Sequence, residues 1–115
     1  MKDQAVNLRH ILEAIRRIKR YTAPGREAFH ADTLVQDGVV RNLEIIGEAT
    51  KRLSAPTRAL RPEVPWKQIA GMRDVLIHDY MGVDPTEVWN VVDRDLGPLE
   101  ETVRSLLASQ RGSAD

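Results

Sequence analysis

Arg73, Asp74, His78 and Tyr80 fall within one short run, Arg73-Asp74-Val75-Leu76-Ile77-His78-Asp79-Tyr80, which joins a permanent cation to a titratable ring and a phenol. An imidazole in water titrates near pH ~6.5, so His78 can accept and return a proton under ordinary conditions. Arg73 stays charged at any working pH and can hold two oxygens of a phosphate or carboxylate at once. Together they suit proton transfer at an anionic ester. On a straight helix, however, residues five positions apart lie about 140° from each other around the axis, whereas Arg73 and Tyr80 nearly eclipse. Either the helix unwinds near His78, or a second copy of the chain packs alongside and the two runs face each other across a shared cleft. Asp74 sits one turn before His78 and either accepts its ring N–H, which orients the imidazole, or pairs with Arg73 or Lys67.

Four long helical patterns must position this run. Leu8, Ile11, Leu12, Ile15 and Ile18 recur at three- and four-residue spacing, as on one side of an amphipathic helix, with Asp3 as its cap and Pro24-Gly25 as its end. A loop is expected over Arg26 to Ala31, with His30 in it. Asp32 then caps a second long helix with the stripe Val35, Val39, Leu43, Ile46, Ala49 and Leu53. Gly47 in its middle costs about 1 kcal/mol against alanine and marks a close crossing of another backbone.

Ser54 and Pro56 predict one short helical turn to about Leu60, and Arg61-Pro62-Glu63-Val64-Pro65 connects it to a third long helix. That helix has Pro65 in its first turn, carries Trp66, Ile69, Met72 and Leu76 together with the chemical run, and frays near Gly82. Asp84-Pro85-Thr86-Glu87 has the pattern of a capped helix start. The stripe from Val88 to Leu107 makes a fourth long helix, kinked at Gly97-Pro98. Residues 110–115 are expected to be a disordered tail. The reading is thus all-α: a four-helix up-and-down bundle with a short extra helix, in a single domain over residues 1–109.

Lys+Arg 17 balance Asp+Glu 17, so any contact with a polyanion must come from a local patch, for which Lys67, Arg58, Arg61 and Arg52 are the candidates. Zero cysteines exclude disulfides and thiolate metal sites, and no metal or other cofactor is expected. His10 and His30 show no ligand spacing and are given no role. Trp66 and Trp89 each begin an apolar stripe and read as core anchors. The start Met1-Lys2-Asp3-Gln4 lacks the apolar run of a signal peptide, and no stretch approaches the roughly 20 apolar residues of a membrane span. A cytoplasmic location, away from any membrane, is expected.

Arginine, four residues, histidine, any residue, tyrosine is the signature of HEPN-type ribonucleases, and the whole chain resembles the HepT-like toxins of that superfamily. Arg41-Asn42-Leu43-Glu44-Ile45-Ile46-Gly47-Glu48-Ala49 is similar to the family's second-helix signature. Val64 to Arg73, Trp89 and Asp95-Leu96 also fit, so the resemblance covers roughly Leu8 to Leu107. It implies a HEPN helical bundle that dimerises, and a metal-independent endoribonuclease with Arg73 and His78 as the catalytic pair at the subunit interface. It implies further that the chain is the toxin of a type VII-like toxin–antitoxin system. The implied partner is a minimal nucleotidyltransferase antitoxin of the MntA type, which deposits AMP on Tyr80 and obstructs RNA.

The family often has asparagine after the arginine, where this chain has Asp74, an extra negative charge beside an anionic substrate. Asp74 and Glu48 are expected to support the catalytic pair, with Glu48 near the seam between subunits. Glu44, Glu48, Arg41 and Arg52 otherwise read as a solvated face. The competing reading is a non-catalytic helical module that positions a nucleotidyltransferase or its nucleotide, with Arg73 holding phosphate and no bond broken.

Overall fold

The computed structural model describes the backbone of residues 2–78 and 84–113 and the side chains of residues 4–72 and 84–110. Among the described residues the chain is helical throughout, in an all-α bundle. The first helix, α1, runs Lys2–Thr22 and buries Leu8, Ile11, Ala14, Ile15 and Ile18 completely. It starts one residue before Asp3, which therefore lies inside the helix and not at the expected cap.

Gly25 makes the turn out of α1 at φ 107, a left-handed value that a Cβ would strain. The segment expected as a loop is instead a helix, α2, over Arg26–Ala31, and it carries His30. Its cause is Phe29, 1 % exposed, whose ring lies 5.5 Å from that of Trp89. Burying that ring fixes a segment too short to show periodicity of its own. The last carbonyls of α2 do not go unpaired: Gln36 Nε2 donates to Phe29 O at 2.9 Å and to His30 O at 3.2 Å.

Asp32 caps α3, Thr33–Lys51, its Oδ1 accepting from the amides of Leu34 and Val35 at 2.9 and 3.3 Å. Val39, Leu43, Ile46 and Thr50 form the face of α3 that fills the centre of the molecule. α1 and α3 lie antiparallel. At one end Tyr21 approaches so closely that a Cβ on Gly38 would stand 3.3 Å from its ring. At the other, Asn7 Nδ2 donates to Arg52 O at 3.3 Å and the Ser54 amide donates to Gln4 Oε1 at 2.9 Å. Gly47 is buried on α3, as a crossing point requires.

Ser54 caps the short helix α4, Ala55–Ala59, by accepting from the Thr57 amide at 3.2 Å. Helix α5, Trp66–His78, follows and packs on α3. Pro65 stands just before the first residue of α5 rather than inside its first turn, and its carbonyl accepts from the Ile69 amide at 3.0 Å. The start of α5 is pinned by Trp66, 6 % exposed, whose indole N–H is shared by the carbonyls of Arg58 and Arg61, each at 3.0 Å. Gly82, where fraying was expected, lies outside the described residues.

Asp84 caps α6, Pro85–Arg94, accepting from the Thr86 amide at 2.9 Å. The expected kinked fourth helix is a full break: α6 ends at Arg94, and α7 runs Leu96–Ser113. Pro98 has no N–H to give the Arg94 carbonyl, and its ring crowds that carbonyl, so the interruption falls three residues before the proline itself. Helix α7 packs on α1, where Glu100, 8 % exposed, receives Lys19 at 2.9 Å and Arg104 at 3.5 Å. The expectation that regular structure is lost after residue 109 is corrected, since α7 continues to Ser113. Leu106 and Leu107 dock its preceding turn, and Ala108, Gln110 and Arg111 are good helix formers that propagate it. The layout is four long helical arms with two short helices, α2 and α4, and one arm divided.

Candidate active site

Arg73, Asp74 and His78 occupy the second half of α5, which is an unbroken α-helix from Trp66 to His78. Their side chains, and all of Asp79 and Tyr80, lie outside the described residues. What the backbone fixes is direction around the axis: with no unwinding before His78, positions 73 and 78 remain about 140° apart. The element that holds them is itself well anchored. Ile69, Met72 and Val64 pack against the central cluster, and Trp66 ties the start of the helix to the α4 corner.

The four basic candidates stand on different elements, Arg52 at the end of α3, Arg58 in α4, Arg61 just after it and Lys67 at the start of α5. Lys67 is exposed on its first turn, about 16 Å along the axis from His78 at 1.5 Å per residue. Arg61 donates to the Leu60 carbonyl at 2.8 Å and to the Ser105 hydroxyl on α7. Arg58 is half-buried, with Nε out of contact with water and without a hydrogen-bond partner among the described residues. Arg52 closes α3 and pairs with Glu48 at 3.3 Å.

Glu48 lies in a polar groove of about 250 Å³ between α1 and α3, in the company of His10, Arg41, Glu44 and Arg52. Arg41 pairs with Glu44 at 3.7 Å, so the charged stripe of α3 is largely an arrangement of internal pairs on a solvated face.

A second cavity is one that periodicity does not reveal. It measures about 500 Å³ and opens between α5 and the α6–α7 break, with Ile46 of α3 as its floor. Ile69 and Met72 form one wall, and Val91, Leu96 and Leu99 the other. Arg94, Asp95, Glu63, Gln68 and Thr102 supply its polar groups. Met72 immediately precedes Arg73 in the sequence. The only trace of it in the sequence is Gly97-Pro98, which opens the far wall.

The described residues form an all-α bundle in which positions 73 and 78 share the second half of α5. The family model for ribonuclease HepT-like proteins matches residues 11–106. The chain belongs to the HepT-like ribonuclease family. It is 42% identical over 107 residues to a protein of Methanocaldococcus jannaschii named as a gamma-glutamylcyclotransferase and candidate RNase, covering 92% of this chain but 48% of that protein. The chain thus spans about half the length of that relative. A candidate RNase of Caldanaerobacter subterraneus is 39% identical over 112 residues, 96% of this chain and 100% of its own length. A probable ribonuclease HepT of Thermococcus cleftensis is 44% identical over 94 residues, 81% of this chain and 86% of its own. No solved structure matches the chain. Among the described residues no helix is long and apolar enough to cross a membrane.

Proposed function

We propose that the chain is a dimeric endoribonuclease toxin in which Arg73 of one protomer and His78 of the other act on the same phosphodiester. RNA carries its own nucleophile, the 2′-hydroxyl. In this reading His78 takes the 2′ proton as the oxygen attacks phosphorus, Arg73 steadies the charge that gathers on the non-bridging oxygens, and the 5′-oxygen leaves with a proton returned from the site. No step calls for a metal ion. Positioned acid–base catalysis of this kind is worth about 10² to 10⁴ in rate, and a fixed guanidinium on the phosphate adds electrostatic stabilisation. Asp74 and Glu48 act in support, Asp74 on the His78 ring and Glu48 at the subunit seam. Arg52, Arg58, Arg61 and Lys67 guide the RNA backbone toward the cleft.

The observation that carries this reading is the continuity of α5 through His78. Unwinding near His78 is the alternative that would let one chain bring the pair together, and the regular helix up to His78 supports twofold pairing instead. Family membership supports the chemistry, and the relatives named as RNases support the substrate class. Control rests with Tyr80: a nucleotidyltransferase antitoxin of the MntA type transfers AMP from ATP to the phenol oxygen with release of pyrophosphate, which places a bulky anion beside Arg73.

Cleavage of RNA in excess chelator tests the activity, with Arg73→Ala and His78→Ala each expected to be inactive. Mixing the two inactive variants tests the composite site. Half of the random pairs are mixed dimers with one intact site of two, so about a quarter of the parental activity should return. A mixture as dead as its components would reject the shared site. Retention of cell toxicity by His78→Ala would favour the non-catalytic module that positions a partner or its nucleotide.

A further inference from the structure

We infer that the outward face of α1, along Arg9, Arg16 and Arg20, is a docking strip for the phosphate backbone of single-stranded RNA, separate from the helix that carries the catalytic run. The identity of the polyanion rests on the ribonuclease reading. The strip itself rests on charge and geometry.

Charge sums to zero over the chain but is unevenly spread. The first 26 residues hold seven Lys and Arg against two Asp and Glu, whereas the rest of the chain holds ten against fifteen. Steps of seven and eleven residues return a helical side chain to within about 20° of its start, so positions 9, 16 and 20 lie on one line about 16 Å long. All three residues are exposed. Leu8, Ile11, Ile15 and Ile18, on the other side of the same helix, are completely buried and fix which way the line faces.

The three arginines are not matched to acids as other cations of the molecule are. Arg17, Lys19, Arg41, Arg52 and Arg104 each pair with a glutamate, while Arg9, Arg16 and Arg20 have no ion pair among the described residues. Arg16 and Arg20 stand one turn apart, where like charges repel and weaken a helix. The one acid on the line, Glu13, is directed to Arg17 at 3.9 Å. Arg20 lies over the Tyr21 ring, 5.8 Å from its centre, and Tyr21 is lodged against Gly38 of α3, so this end of the strip is held in place.

A guanidinium takes two phosphate oxygens at once, and a row of them follows a backbone without reading its bases. An anionic membrane suits the strip less well. Helices that lie on membranes bury an apolar face in the lipid, and that of α1 is already spent on the core. α1 packs on α3 and α7, and α5 packs on α3, so strip and catalytic run stand on different arms of the bundle.

The test is fluorescence anisotropy of the whole chain with a labelled single-stranded 2′-O-methyl RNA, whose blocked hydroxyl cannot attack phosphorus. The triple variant Arg9→Gln, Arg16→Gln, Arg20→Gln is expected to bind about tenfold more weakly with unchanged circular dichroism. Its slope of log affinity against log salt should be shallower by about 2, at about 0.7 per phosphate contact. A control with the same change of charge, Lys51→Gln, Arg94→Gln, Arg104→Gln, should keep the parental slope. Equal losses in the two triples, or none in the first, would overturn the inference. So would a triple variant that binds RNA as the parent does but no longer sediments with phosphatidylserine vesicles. Binding is read without cleavage, so the two readings fail separately. RNA held along α1 by a chain that cuts none would sink the nuclease alone, whereas long RNA cut by the first triple with an unchanged KM would sink the strip alone.

Discussion

Phe29 places a whole ring in the core from a six-residue helix that has no other buried side chain. Truncating a fully buried phenylalanine removes its transfer energy and leaves a cavity, so Phe29→Ala should cost about 3–5 kcal/mol. Urea unfolding followed by circular dichroism would measure it, and a loss under about 1 kcal/mol would show that α2 is ornamental to the fold. Arg73, Asp74, His78 and Tyr80 stand out in the sequence because they are neighbours along the chain, and the backbone adds that positions 73, 74 and 78 share α5. Glu48 was not legible in the same way. Its pair with Arg52 is a one-turn spacing along α3, but the groove around it is completed by Asn7 and His10 of α1, which only packing brings there. Arg58 and Arg61 likewise owe their positions to Trp66, which grips both carbonyls and fixes the corner that carries them.

Long stripes announce themselves at the scale of the element, and short or interrupted ones do not. The caps Asp32, Ser54 and Asp84 each accept an amide where a capping residue should, because the bonds involved span two or three residues and need nothing distant. Helix α2 could not be read, since one phenylalanine has no period and its stabilising partner Trp89 lies far along the chain. The α6–α7 break was half legible: Pro98 signals a disturbance, but where the helix stops depends on which carbonyl the ring would crowd. Replacing Pro98 with alanine restores that amide, and α6 and α7 should merge. Hydrogen exchange would then show a protected amide at residue 98, alongside the Leu99 amide that already donates to the Asp95 carbonyl, with global stability changed by no more than about 1 kcal/mol. Fast exchange at residue 98 would assign the break to Asp95 instead.

For the whole molecule, zero net charge and, among the described residues, four ion pairs spaced three or four residues apart along their own helices leave little long-range field to draw a polyanion in. On the proposed function, association with RNA would rest on Arg52, Arg58, Arg61 and Lys67 and on a cleft between subunits. If the site needs two subunits, activity per chain should fall on dilution through the dimer dissociation constant, with sedimentation and turnover giving the same midpoint. Specific activity that stays flat while the protein dissociates would refute the shared site. The dimensions, 48 × 28 × 22 Å, describe a rod whose centre is occupied by α3. Ile46 stands at that centre with two allegiances, belonging to the bundle's interior and to the lining of the cavity beside α5. A substitution there alters thermal resistance and the form of that hollow in one stroke, so neither property can be inherited independently of the other.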